Sequence, residues 1–76
     1  GEAIRDAFLL EADLLDRRDR GAEALAVLDE SLDVFEADPA LLYARAMLHE
    51  RAGRVDEALA DLRRILDDEP DSQQAL

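Results

Sequence analysis

Cysteine, lysine, threonine and tryptophan are all missing from this 76-residue sequence, which holds only three glycines, two prolines, two phenylalanines and one tyrosine. Without cysteine there are no disulfides, thiolate metal sites or cysteine nucleophiles, and the redox compartment cannot be read. Scarce β-branched and aromatic residues argue against sheet, and no segment alternates apolar and polar with period two. No apolar run approaches the eighteen or so residues that span a bilayer, so no direct membrane insertion is expected. The opening Gly1-Glu2-Ala3-Ile4-Arg5-Asp6 has neither a methionine nor the basic and apolar regions of a signal peptide, and is read as the start of a piece of a longer chain. Positive charge is also scarce. Nine arginines face twenty acids, a net charge of −11, which repels phosphate backbones and excludes nucleic acid as a partner.

What remains is Ala, Leu, Glu, Asp and Arg, 49% hydrophobic and 38% charged overall, the balance of an ordered helical chain. A chain this short buries about 60% of its unfolded surface, so its core must come from helices packed side by side. Apolar residues recur at spacings of three and four in four runs. The first holds Ile4, Ala7, Phe8, Leu10, Leu14 and Leu15 and dissolves into the charged stretch Asp16 to Gly21, which reads as a tight turn. The second, Ala24 to Phe35, stops at Asp38-Pro39, where Asp can cap the next helix and Pro suits its first position. The third runs from Leu41 to Leu48 and ends at Ala52-Gly53; the fourth runs from Val55 to Leu66 and ends before Pro70. Ser72 then caps the start of a fifth, residues 73–76.

Laid over each other without a gap, residues 5–38 and 39–72 repeat. Ala12 falls on Ala46, Leu14 on Leu48, Arg17 on Arg51 and Arg20 on Arg54. Glu23-Ala24-Leu25-Ala26 falls on Glu57-Ala58-Leu59-Ala60, with Leu28 on Leu62 and Leu32 on Leu66. The chain therefore reads as a single domain over 1–76: two copies of one helix–turn–helix unit, about 5–38 and 39–72, and a stub of a third at 73–76.

This pattern resembles the tetratricopeptide repeat (TPR) family, whose period is 34 residues. The second copy carries it best: Leu42 stands where the family prefers Trp, Ala46 and Ala58 at its small positions, Gly53 at the turn and Pro70 at the closing proline. In the first copy Phe8, Ala12, Leu15, Ala24 and Leu28 agree, the turn glycine reads as displaced to Gly21 with Asp19 in its usual slot, and Glu36 replaces the proline. The stretch from Leu41 to Leu76 also resembles repeats of bacterial envelope TPR lipoproteins, which act as adaptors. That resemblance implies a bacterial protein, cytoplasmic or periplasmic, with the parent anchored at the envelope.

The family resemblance implies an all-α solenoid of two antiparallel helix pairs in a right-handed superhelix, with the first helix of each pair lining a concave groove. Its groove positions would be Asp6, Leu9, Asp13, Asp16 and Arg17 on the first helix, and Ala40, Tyr43, Met47, Glu50 and Arg51 on the third. Leu9, Asp13 and Asp16 share one helix face by their spacing, as do Tyr43, Met47 and Glu50. An apolar strip of Leu9, Tyr43 and Met47 fringed by acids suits an extended peptide or a helix, with Tyr43 as anchor; Tyr43 and Met47 could equally pack against a neighbouring repeat. A variant of the groove grips chaperone carboxylates with Lys and Asn, but Leu9, Asp13, Tyr43 and Met47 at those positions cannot donate to a carboxylate. The acidic balance points instead to a cationic or mixed-charge protein partner.

Other features read as structural. His49 fills a helix-interface slot and lacks the companions of a metal or catalytic site. The acidic cluster Asp67, Asp68, Glu69 and Asp71 lacks the spacing of a calcium loop and reads as a solvated helix end. Arg17, Arg18 and Arg20, interleaved with Asp16 and Asp19, suit surface ion pairs. No phosphate loop or nucleophile motif occurs, so no enzyme activity, cofactor or metal is expected. The leading expectation is a protein-interaction module. The alternatives are a structural spacer or homodimerising segment, associating through its uncapped ends, and a regulatory domain of an enzyme.

Overall fold

Apolar spacing, turn chemistry and capping resolve into four helices in a computed structural model that describes residues 2–68: α1 (Glu2–Arg17), α2 (Gly21–Val34), α3 (Pro39–Arg51) and α4 (Val55–Asp68). The expected all-α helical repeat is thus what the chain builds, and no strand occurs among the described residues. None of these helices is long and apolar enough to cross a membrane. Ser72, Pro70, the stub at 73–76 and the Glu69 and Asp71 members of the acidic cluster lie outside the described residues.

The two short inner turns close in the same way. At the end of α1 the Arg20 N–H donates to the Leu15 carbonyl (2.9 Å) and the Asp19 N–H to the Asp16 carbonyl (3.1 Å); at the end of α3 the Arg54 N–H donates to the His49 carbonyl (2.8 Å) and the Gly53 N–H to the Glu50 carbonyl (3.0 Å). Both turns need a left-handed residue at the penultimate place. Gly53 supplies it with φ 82° in the second turn, and Asp19 with φ 62° in the first. This corrects the reading of Gly21 as the displaced turn glycine. Gly21 is the first residue of α2 and has no positive φ, because aspartate, unlike most residues, tolerates the left-handed region. Asp16 and Arg17 likewise remain helical rather than joining the turn.

The middle turn bears out its expected chemistry. The Asp38 carboxylate accepts from the Ala40 N–H (2.9 Å) and the Leu41 N–H (3.3 Å), with Pro39 at the first helical position. The Arg5 guanidinium reaches the same carboxylate at 3.4 Å, tying the start of α1 to the start of α3.

The principal helix contacts are α1–α2, α2–α3, α3–α4 and α1–α3. That is the order of a stack, in which α3 sits on the first pair and α4 packs on α3. A closed four-helix bundle would add α4 against α1 as a principal contact. The core joins Ala12, Ala24 and Leu28 of the first pair to Leu41 and Leu48 of α3. Ala46 and Ala58, at the small positions of the second copy, are buried, as is Leu42. Alanines at these crossings let helix axes approach closely, so the leucines beside them reach across. Buried Ser31 satisfies its hydroxyl locally by donating to the Leu28 carbonyl at 2.9 Å.

Candidate functional site

A cleft of about 340 Å³ opens between α1 and α3. Leu9, Ala12, Asp13 and Asp16 line it from α1, and Tyr43, Ala44, Met47, Leu48 and Arg51 from α3, with Leu28 of α2 beneath. The cleft follows from residue size. Ala12 and Ala44 are small, so the walls stand apart there, while the longer Leu9, Met47 and Tyr43 side chains rise around the gap. Tyr43 is 55% exposed, an aromatic ring standing in solvent beside an apolar floor.

Six of the ten expected groove residues line this cleft: Leu9, Asp13, Asp16, Tyr43, Met47 and Arg51. Asp6 and Ala40 do not line it, nor do Arg17 and Glu50. Arg17 and Glu50 each lie one step around their helix from the lining face, and both are exposed. The acids of the cleft are engaged by the chain's own arginines. Arg51 pairs with Asp16 across the two helices, and Arg17 reaches Asp13 at 3.0 Å along α1. The basic spot makes surface ion pairs, as expected: Arg17 with Asp13, and Arg20 with Glu23 at 3.7 Å, while Asp16 turns to α3.

On the other side of α3 lies a polar cluster that the residue pattern had not revealed. Buried Asp61 of α4 accepts from Arg45 Nε (2.9 Å) and Nη2 (2.7 Å), a two-pronged pair. The third arginine nitrogen donates to Asp29 of α2 at 2.9 Å, so one guanidinium fastens α2, α3 and α4. The hydrogen bond to Asp61 is the largest cause of a raised Arg45 pKa, and that to Asp29 adds to it. His49 packs into the same seam, as expected, with Nε2 3.9 Å from Asp61, while its Nδ1 is buried without a partner. The signal that could have found the cluster lies in the repeat alignment. Arg45, His49 and Asp61 fall on Glu11, Leu15 and Val27, three slots where the copies differ in charge or polarity. Among the described residues no group of three or more His, Cys, Asp and Glu is arranged to hold a metal ion.

The sequence profile of the tetratricopeptide repeat matches residues 39–76, half of the chain and the copy with the better pattern. The chain belongs to the tetratricopeptide repeat family. It is also similar to a TPR repeat-containing protein of Pseudomonas aeruginosa, 35% identical over 69 residues that cover 91% of this chain. The chain spans 12% of that relative's length. No solved structure matches it. TPR repeats are generally modules that bind proteins or peptides and are generally not enzymes. The cleft thus runs between the first helices of the two TPR repeats, and the Arg45–Asp61 pair joins the two helices of the second.

Proposed function

We propose that this chain is a non-enzymatic protein-interaction module whose α1–α3 groove holds a peptide or protein segment of cationic or mixed charge. The observation that carries the reading is the exposed Tyr43 ring over a floor of Leu9, Met47 and Leu28, bordered by Asp13 and Asp16. A ring placed so gives large contact area at small entropic cost, and a neighbouring cation gains from the ring face. An excess of acids over the whole chain steers such a partner inward.

The test is a titration of two peptide pools, equally apolar but one Arg-rich and one Glu-rich, followed by backbone chemical shifts. The Arg-rich pool should perturb residues around Tyr43 and Met47, and Tyr43→Ala with Met47→Ala should weaken binding about tenfold or more. Equal binding by the double variant, or preference for the Glu-rich pool, would sink the reading.

A further inference from the structure

Both carboxylates that border the groove already hold an arginine of this chain, and the two pairs are built differently. Arg17 and Asp13 are neighbours on one helix and both exposed, the ordinary pair of a solvated helix face. Arg51 and Asp16 come from different helices, and they are unequal: the Asp16 side chain is 18% exposed and that of Arg51 68%. The carboxylate is therefore part of the groove wall. The guanidinium stands in solvent at the end of a long, rotatable stem and is the member that can leave.

The pair also stands at a boundary. Beyond it lies a second cavity of about 420 Å³, beside the turn that follows α1 and the end of α3, with Asp19, Ala22, Leu25 and Arg54 among its lining residues. Asp16, Leu48 and Arg51 line both this cavity and the groove. Leu48 is buried, so the Arg51–Asp16 bridge is the exposed bar between two halves of one longer trough. The far half gives a displaced Arg51 somewhere to go. Asp19 lines the same cavity, and its carboxylate makes no ion pair among the described residues.

We propose that Asp16 is a subsite for a guanidinium of the bound segment and that Arg51 is its resident competitor. An arginine of the ligand takes the Asp16 carboxylate, Arg51 swings across to Asp19, and the two cavities open into one. The proposal deepens the groove reading and rests on it for the ligand's being a protein segment. It adds which carboxylate reads the ligand's charge and what the ligand must displace. The chain itself shows the fit, since the group that Asp16 now holds is a guanidinium. The exchange breaks one exposed ion pair and forms two, which favours it. A neutral or acidic side chain offers Asp16 nothing in place of Arg51, so the bar stays closed to it.

The probes are acetyl-arginine amide and acetyl-citrulline amide, alike in shape but charged and uncharged, titrated into the 76-residue chain while the Arg51 Nε–H and Asp16 carboxylate signals are followed by NMR. The arginine probe should shift both signals and bind about threefold or more tighter than the citrulline probe. Arg51→Gln, at an exposed site where the circular dichroism should be kept, should tighten the arginine probe about threefold to tenfold and leave the citrulline probe unchanged; Asp16→Asn should make the two bind equally. Arg18→Gln removes the same charge from a side chain that lines neither cavity, and should change the arginine probe by less than about twofold. Arginine binding that Arg51→Gln fails to tighten, or a gain that Arg18→Gln matches, overturns the proposal. Peptide pools that bind through Tyr43 and Met47 with no gain from Arg51→Gln sink the exchange alone. Pools that ignore Tyr43 and Met47, while the arginine probe still displaces Arg51, sink the groove reading and leave Asp16 a guanidinium subsite.

Discussion

The His49 imidazole occupies the α3–α4 seam with Nδ1 buried and unpartnered, and its other nitrogen is beyond hydrogen-bond reach of Asp61 at 3.9 Å. An orphaned buried nitrogen costs its full desolvation, so the corresponding residue of the first copy, Leu15, is the better fit for this seam. His49→Leu should raise the unfolding free energy by about 1 kcal/mol in urea titration, with the slope unchanged. Arg45 beside it behaves differently. Its pKa is raised, so its contribution is complete below the ordinary arginine range and is lost only as pH climbs through the still higher folded value. That guanidinium therefore keeps its charge through neutral solution and beyond. At the turn after α1, Asp19 takes a left-handed backbone where the second copy uses Gly53. Asp19→Gly should stabilise the chain by about 0.5 kcal/mol, and Gly53→Asp should destabilise it by a similar amount; thermal melts of the pair compare them directly.

Helices here begin and end on local chemistry, and α3 shows it most plainly. Asp38 satisfies two free N–H groups at once, those of Ala40 and Leu41, and also receives Arg5. Asp38→Ala should cost about 1–2 kcal/mol, whereas Asp38→Ser should recover most of the loss by keeping a capping oxygen; a smaller cost for Ala than for Ser would show that the cap is not what anchors α3. This helix start was legible in advance because Asp-Pro has few other uses between two apolar runs. Gly21 misled for the converse reason: a glycine beside a charged stretch looks like the turn residue, yet a short hydrogen-bonding side chain at position 19 can adopt the same backbone. The groove was mostly legible because Leu9, Asp13, Asp16, Tyr43 and Met47 follow helical spacing from one face to the next. The Arg45–Asp61 seam was not. Its members come from separate stretches of chain, at slots that periodicity marks only as facing inward, and an inward slot says nothing of whether a carboxylate there has a guanidinium to meet.

Across the whole molecule each helix leans on its neighbours in order, so stability is the sum of the two pairs and the one interface between them. Leu28 is fully buried at that interface, under the groove and against the α3 leucines. Leu10 has the same chemistry on an open face. Leu28→Ala should cost about 3 kcal/mol and Leu10→Ala less than about 0.5 kcal/mol at dilute concentration, measured by urea unfolding under circular dichroism. For a chain of this size the first loss is a large share of the total stability, so the Leu28 variant should be extensively unfolded at room temperature. The contrast also tests what forms the groove. Its walls belong to α1 and α3 and Leu28 of α2 lies beneath it, so a variant that loosens Leu28 should lose the cleft with the interface. If Leu28→Ala instead unfolded only α1 and α2 while α3 and α4 kept their helicity, the second pair would be the independent unit. The groove would then exist only while the first pair is docked against it.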